Sequence, residues 1–138
     1  MTSRATATNI LCAMEVIAED LALRYLLELS TDIRVAFLVD ECGAVAASAP
    51  EPPPQSVATA GMELVREARA LAADQHERSV ELDVTVEGGA AFVVCEQGPA
   101  LVCVTGPFAL PGLILHDMRV ALGDLRRGEA AAPDRGAP

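Results

Sequence analysis

Two apolar periods alternate along this chain, and they divide it into helices and strands. Over residues 9–29, Ile10, Met14, Ile17, Leu21 and Tyr25 recur every three or four positions with Ala13, Ala18 and Ala22 beside them, which predicts a first helix. Residues 34–39 are an almost unbroken apolar run. The acidic turn Asp40-Glu41-Cys42-Gly43 and a weaker run over 44–48 follow, so the segment reads as a β-hairpin. The Pro-rich stretch 49–54 is a stiff connector. Ser56 is placed to accept from the free N–H groups of a second helix reaching about residue 75. Next, Val80, Leu82, Val84 and Val86 alternate with Glu81, Asp83 and Thr85, a period of two that only a strand satisfies. Turns at 87–89 and 97–99 lead into apolar strands over 90–95 and 100–105. Pro111 opens a closing helix whose stripe is Ile114, Met118, Ala121, Leu122 and Leu125 and whose stop signal is Arg126-Arg127-Gly128.

Strands that are apolar at nearly every position must be covered on both faces. Residues 34–39, 90–95 and 100–105 therefore sit at the centre of a sheet, and 44–48 and 80–87 sit at its edges. Hairpin pairing leaves a five-stranded antiparallel sheet of order 2-1-5-4-3, with helices on both faces: an α/β (α+β) chain built as a three-layer α/β/α sandwich. One domain over 9–127 is expected, with a flexible N-terminus over 1–8 and a disordered tail over 128–138, both poor in large apolar residues.

The middle helix is more apolar than a sheet-covering helix needs. Val57, Ala60, Gly61, Leu64, Ala68, Leu71 and Ala72 make one face, and Ala58, Met62 and Val65 widen it on one flank. The other flank is Ser56, Glu67 and Asp74. A surplus of this kind predicts a second apolar surface, most simply the same helix of another copy across a two-fold axis, with small Ala58 and Gly61 permitting close approach. The edge strand with Leu82 and Val84 would pair with its own copy there, satisfying otherwise open N–H and C=O groups.

Charge narrows the partners. The 138 residues carry a formal net charge of −10, all cations being Arg, which disfavours nucleic acid and anionic membranes. Aromatics are 3% of the chain, so the core must be aliphatic. Cys12, Cys42, Cys95 and Cys103 have no Cys-x-x-Cys spacing and only His76 and His116 for company, so no metal site and no cofactor is expected. No signal peptide and no spanning stretch is read, and the expected location is the cytoplasm. Catalysis is not expected either: no nucleophile elbow or phosphate-binding glycine motif occurs, His116-Asp117 lies among apolar neighbours, and the alternating Glu81 and Asp83 read as solvated edge charges.

The run from Val35 to Ser48, the opening Val57-Ala58-Thr59-Ala60 of the middle helix, and Leu110-Pro111-Gly112-Leu113 with Met118, Arg119 and Leu122 are similar to the corresponding parts of the roadblock/dynein light chain family. The resemblance spans about residues 10–127 and lies in the order and spacing of the elements rather than in a single motif. It implies a roadblock-like domain that forms homodimers through middle helices and third strands. It also implies partnership with small Ras-like GTPases, as in the bacterial mutual gliding protein B type, whose paired middle helices meet the GTPase. Carried to this chain, Met62, Val65 and Arg69 fall near the dimer seam, and Thr59, Glu63, Arg66 and Ala70 face the partner. The expected function is a non-catalytic homodimeric binding module that regulates or scaffolds such a GTPase. The alternative is a general dimerisation scaffold in a bacterial signalling complex.

Overall fold

The structure is a computed structural model that describes residues 19–96 and 98–135, with side chains described to Leu125. Its elements are α1 (residues 19–29), β1 (Ile33–Val39), β2 (Val45–Ala49), α2 (Gln55–Asp74), β3 (Val80–Val86), β4 (Gly89–Cys95), β5 (Ala100–Thr105) and α3 (Pro111–Arg135). Every adjacent strand pair is antiparallel and the order is β2-β1-β5-β4-β3, as the hairpin argument requires.

The central strands are apolar at nearly every position because their two faces feed two cores. On one face Ala36, Leu38, Phe92, Val94, Leu101 and Cys103 pack under α1 and α3 with Leu23, Leu26, Ile114, Met118 and Leu122. On the other, Phe37, Val39, Val93, Cys95, Ala100 and Val102 pack under α2 with Val65 and Ala68. A strand residue and its neighbour therefore serve different layers, and polar residues are confined to strand ends: Arg34, exposed near the start of β1, and buried Thr105 at the end of β5, whose hydroxyl donates to Ala90 O and Gly106 O. The α3 stripe of Ile114, Met118, Ala121, Leu122 and Leu125 is buried as its spacing predicts.

The β1–β2 turn is built by Asp40, whose carboxylate accepts from the N–H groups of Cys42 (2.9 Å) and Ala44 (3.0 Å). Gly43 takes the positive φ, 90°, that closes the turn.

Three expectations are corrected. In α1 the core residues are Leu23 and Leu26, both fully buried, whereas Leu21 and Tyr25 are 61% and 55% exposed. Residues 21–29 are apolar nearly all round, so two helical phases satisfy the spacing, and Tyr25 keeps its hydroxyl in water by facing outward. Ile10, Met14 and Ile17 lie outside the described residues. Ser56 does not cap α2: the helix starts at Gln55 after Pro54, and the first closing bond runs from Ala58 N–H to Pro54 O at 2.9 Å. Finally, α3 continues past Gly128 to Arg135. One helical Gly costs only about 1 kcal/mol, and Ala130, Ala131 and Ala132 after it favour the helix as far as Pro133.

Candidate functional site

Helix α2 is anchored on the sheet by Gly61, Val65 and Ala68, which are buried; Val57, Met62, Leu64 and Ala72 are half-buried and pack on the same cluster. Gly61 is where the helix comes closest to the sheet. A β-carbon there would overlap the Phe37 ring and stand 3.5 Å from Val102 Cγ1.

This anchoring moves two expected seam residues. Gly61 and Val65 (1% exposed) face the chain's own sheet and offer no side chain to another molecule. The helix is rotated about its axis toward Val65, because Gly61 permits the Phe37 ring beneath it and so puts the glycine at the centre of the contact. Ala58 and Met62 remain half-buried on the flank where the surplus was expected. The apolar excess reaching solvent lies on the opposite flank, in Ala60, half-buried Leu64 and Leu71, which is 39% exposed. Leu64 and Leu71 are seven residues apart and so on one line of the helix, a spacing that the sequence displays but that its apolar arc assigns to the sheet face.

Strand β3 continues that surface. Among the described residues it pairs only with β4, which leaves its other edge open. On the α2 side Val80 is buried and Leu82 half-buried, but Val84 and Val86 are 36% and 41% exposed. Val86 joins the candidate surface here, since the alternation along the strand does not by itself single it out. The opposite side of β3 carries Glu81, Asp83 and Thr85, and Glu81 is ion-paired with Arg119 of α3.

Arg69 is turned inward along the molecule rather than toward β3. Its Nη2 donates to Val39 O at 3.4 Å and Gly98 O at 3.2 Å, joining the end of β1 to the β4–β5 turn. It lines an open cavity of about 300 Å³ with Glu41, Glu77, Arg78 and Cys95. Burial pushes the Cys95 thiol up, while the Arg69 charge and hydrogen bond act against that. Among the described residues no group of three or more His, Cys, Asp or Glu is placed to hold a metal ion. His76 occupies the exit of α2 at φ 55° and His116 is exposed on α3, so the two histidines are on different elements.

Thr59, Glu63, Arg66 and Ala70 are all on the side of α2 away from the sheet. They form an exposed face of small and charged groups. No helix among the described residues is long and apolar enough to cross a membrane.

Neither a family model nor a curated protein matches the chain. Solved structures do. The gliding protein MglB from Thermus thermophilus is 26% identical over 82% of this chain and 89% of its own, with a TM-score of 0.64. The Roadblock/LC7 domain from Streptomyces avermitilis superposes at 0.66 with 18% identity, over 80% of this chain and 97% of that one. Myxococcus xanthus MglB reaches 0.66 at 17% identity, covering 84% and 90%. The last two speak to the fold alone, which is the five-stranded sheet with helices on both faces. The likeness to MglB at 26% identity supports a small binding or regulatory module. The chain thus has a roadblock-like fold and is similar to MglB.

Proposed function

We propose that the chain acts as a non-catalytic homodimer that regulates or scaffolds a small Ras-like GTPase. The observation that carries the dimer is the open β3 edge lying beside exposed Leu71, Val84 and Val86. Pairing two β3 edges antiparallel would satisfy their free N–H and C=O groups and cover those side chains at the same time. In that arrangement the seam is formed by Ala60, Leu64 and Leu71 of α2 with Leu82, Val84 and Val86 of β3. Ala58 and Met62 lie on the far flank, and Arg69 supports its own β1 and β4–β5 turn. The outward faces of the two α2 helices then form one platform carrying Thr59, Glu63, Arg66 and Ala70 twice. The GTPase is inferred from the likeness to MglB and from this platform of small and charged groups.

Light scattering at micromolar concentration tests the first half: a dimer is expected, and Val84→Asp should yield folded monomer, because two carboxylates would meet across the seam without partners. A monomeric native chain rejects the reading. The second half is tested by recovery of a GTPase from the same source loaded with GTP or with GDP. Unequal recovery is expected, and Glu63→Arg/Arg66→Glu should reduce it. The small side chains of Thr59 and Ala70 favour a second reading, a dimerisation scaffold, which equal recovery in both nucleotide states would select.

A further inference from the structure

Exposed large apolar side chains fall mainly into two groups on the described surface. Leu71, Val84 and Val86 lie along the α2–β3 border already assigned to self-association. The larger group is on the other side of the sheet. Leu21, Tyr25 and Leu29 are spaced by four along α1 at 61%, 55% and 47% exposure, and Phe108, Leu110 and Leu113 follow in the β5–α3 loop and the start of α3 at 82%, 66% and 53%. The two sets belong to one region: Gly106 N–H donates to Asp32 O at 2.9 Å, which ties that loop to the exit of α1, and α1 and α3 share one core. An apolar surface of this extent on an isolated chain marks an interaction site.

Charge selects what covers it. The carboxylates of Glu28, Asp32 and Asp117 stand on the same two helices and the joining loop, where Arg24 is paired with Asp20, Arg119 with Glu81, and Arg34 is exposed. A second copy would set these carboxylates against their own duplicates, on chains of formal charge −10. We infer that the α1–α3 face docks an amphipathic helix of a different protein, its apolar stripe seated on Tyr25, Phe108 and Leu113 and flanked by Lys or Arg. This goes beyond the GTPase reading and does not require it.

Tyr25 supplies the probe, because it is the sole tyrosine and the chain has no tryptophan, so intrinsic fluorescence reports on this face alone. In the full chain, acrylamide should quench Tyr25 freely. A Leu/Lys amphipathic helical peptide lacking Tyr and Trp should shield it, and a Leu/Glu counterpart or a scrambled Leu/Lys peptide should not. Added salt should weaken the shielding. The double variant Phe108→Ser/Leu113→Ser should weaken peptide binding about tenfold or more, whereas Val84→Asp should leave it unchanged, which separates this face from the dimer seam. Four results overturn the inference. Tyr25 already shielded in the free chain means that the chain's own residues or a second copy cover it. Equal shielding by the Leu/Glu peptide removes the charge argument, and no effect of the double variant removes the site. Stronger shielding by phosphatidylcholine vesicles than by the peptide makes it a lipid surface.

Discussion

A single missing methyl decides how α2 sits. Gly61 lies over the Phe37 ring, which is itself fully buried, so Gly61→Ala must displace an aromatic side chain that has no room to move. The helix would gain about 1 kcal/mol of propensity and lose roughly 1–3 kcal/mol to overpacking, so a net loss is expected in urea denaturation. Gly112 in the first turn of α3 has nothing within 4 Å of its would-be β-carbon, and Gly112→Ala should stabilise by up to about 1 kcal/mol. Opposite signs for one substitution in two helices test whether close approach, rather than backbone freedom, keeps Gly61. The cysteines divide on the same principle. Cys42 is exposed in its turn, while Cys103 is buried and desolvation alone pushes its thiol far up. Peptide mapping after thiol labelling of the native chain should therefore find Cys42 modified and Cys103 untouched even at mildly alkaline pH; Cys103 should react only on unfolding.

Elements are legible from sequence wherever a period is forced, and ambiguous wherever apolar residues exceed what one face needs. The alternation along β3 and the unbroken runs of β1, β4 and β5 each admit one interpretation, and the sheet order follows from them. Helix α2 admits two. Val65 and Leu71 fit an apolar arc equally well, and only the close fit of Gly61 over Phe37 selects Val65 for the core and leaves Leu71 outside. The same degeneracy reverses α1, where Leu23 and Leu26 displace Leu21 and Tyr25. Chain reversal at the end of α2 is also invisible in the sequence, because it rests on an unusual residue. Glu77 N–H bonds Ala72 O at 2.8 Å and His76 N–H bonds Ala73 O at 3.4 Å, the paired bonds of a Schellman ending, with His76 holding the left-handed φ of 55° that glycine normally takes. His76→Gly should relieve that strain and raise stability by up to about 1 kcal/mol, measured as a shift in denaturation midpoint at fixed protein concentration. A loss instead would mean that the imidazole makes a contact worth more than the strain.

Charge at the scale of the whole molecule makes self-association and heterologous docking respond to salt in opposite senses. Each chain carries −10, and an antiparallel β3 pairing brings two such chains together with Asp83 and Glu87 on or beside the joined strands. Glu81 is offset by Arg119, so it adds less to the repulsion. The attraction at that seam comes from burial of Leu71, Val84 and Val86 and from main-chain hydrogen bonds, neither of which depends on ionic strength to first order. What salt changes is the repulsion, whose range contracts to about 10 Å at 0.1 M and lower still above it. The dimer dissociation constant measured by sedimentation should therefore fall as sodium chloride is raised from low millimolar levels toward roughly 0.3 M, while binding of a basic helix to the α1–α3 face weakens over the same range. A dimer that loosens with salt would have to be held by ion pairs, which the exposed apolar residues beside the β3 edge do not provide.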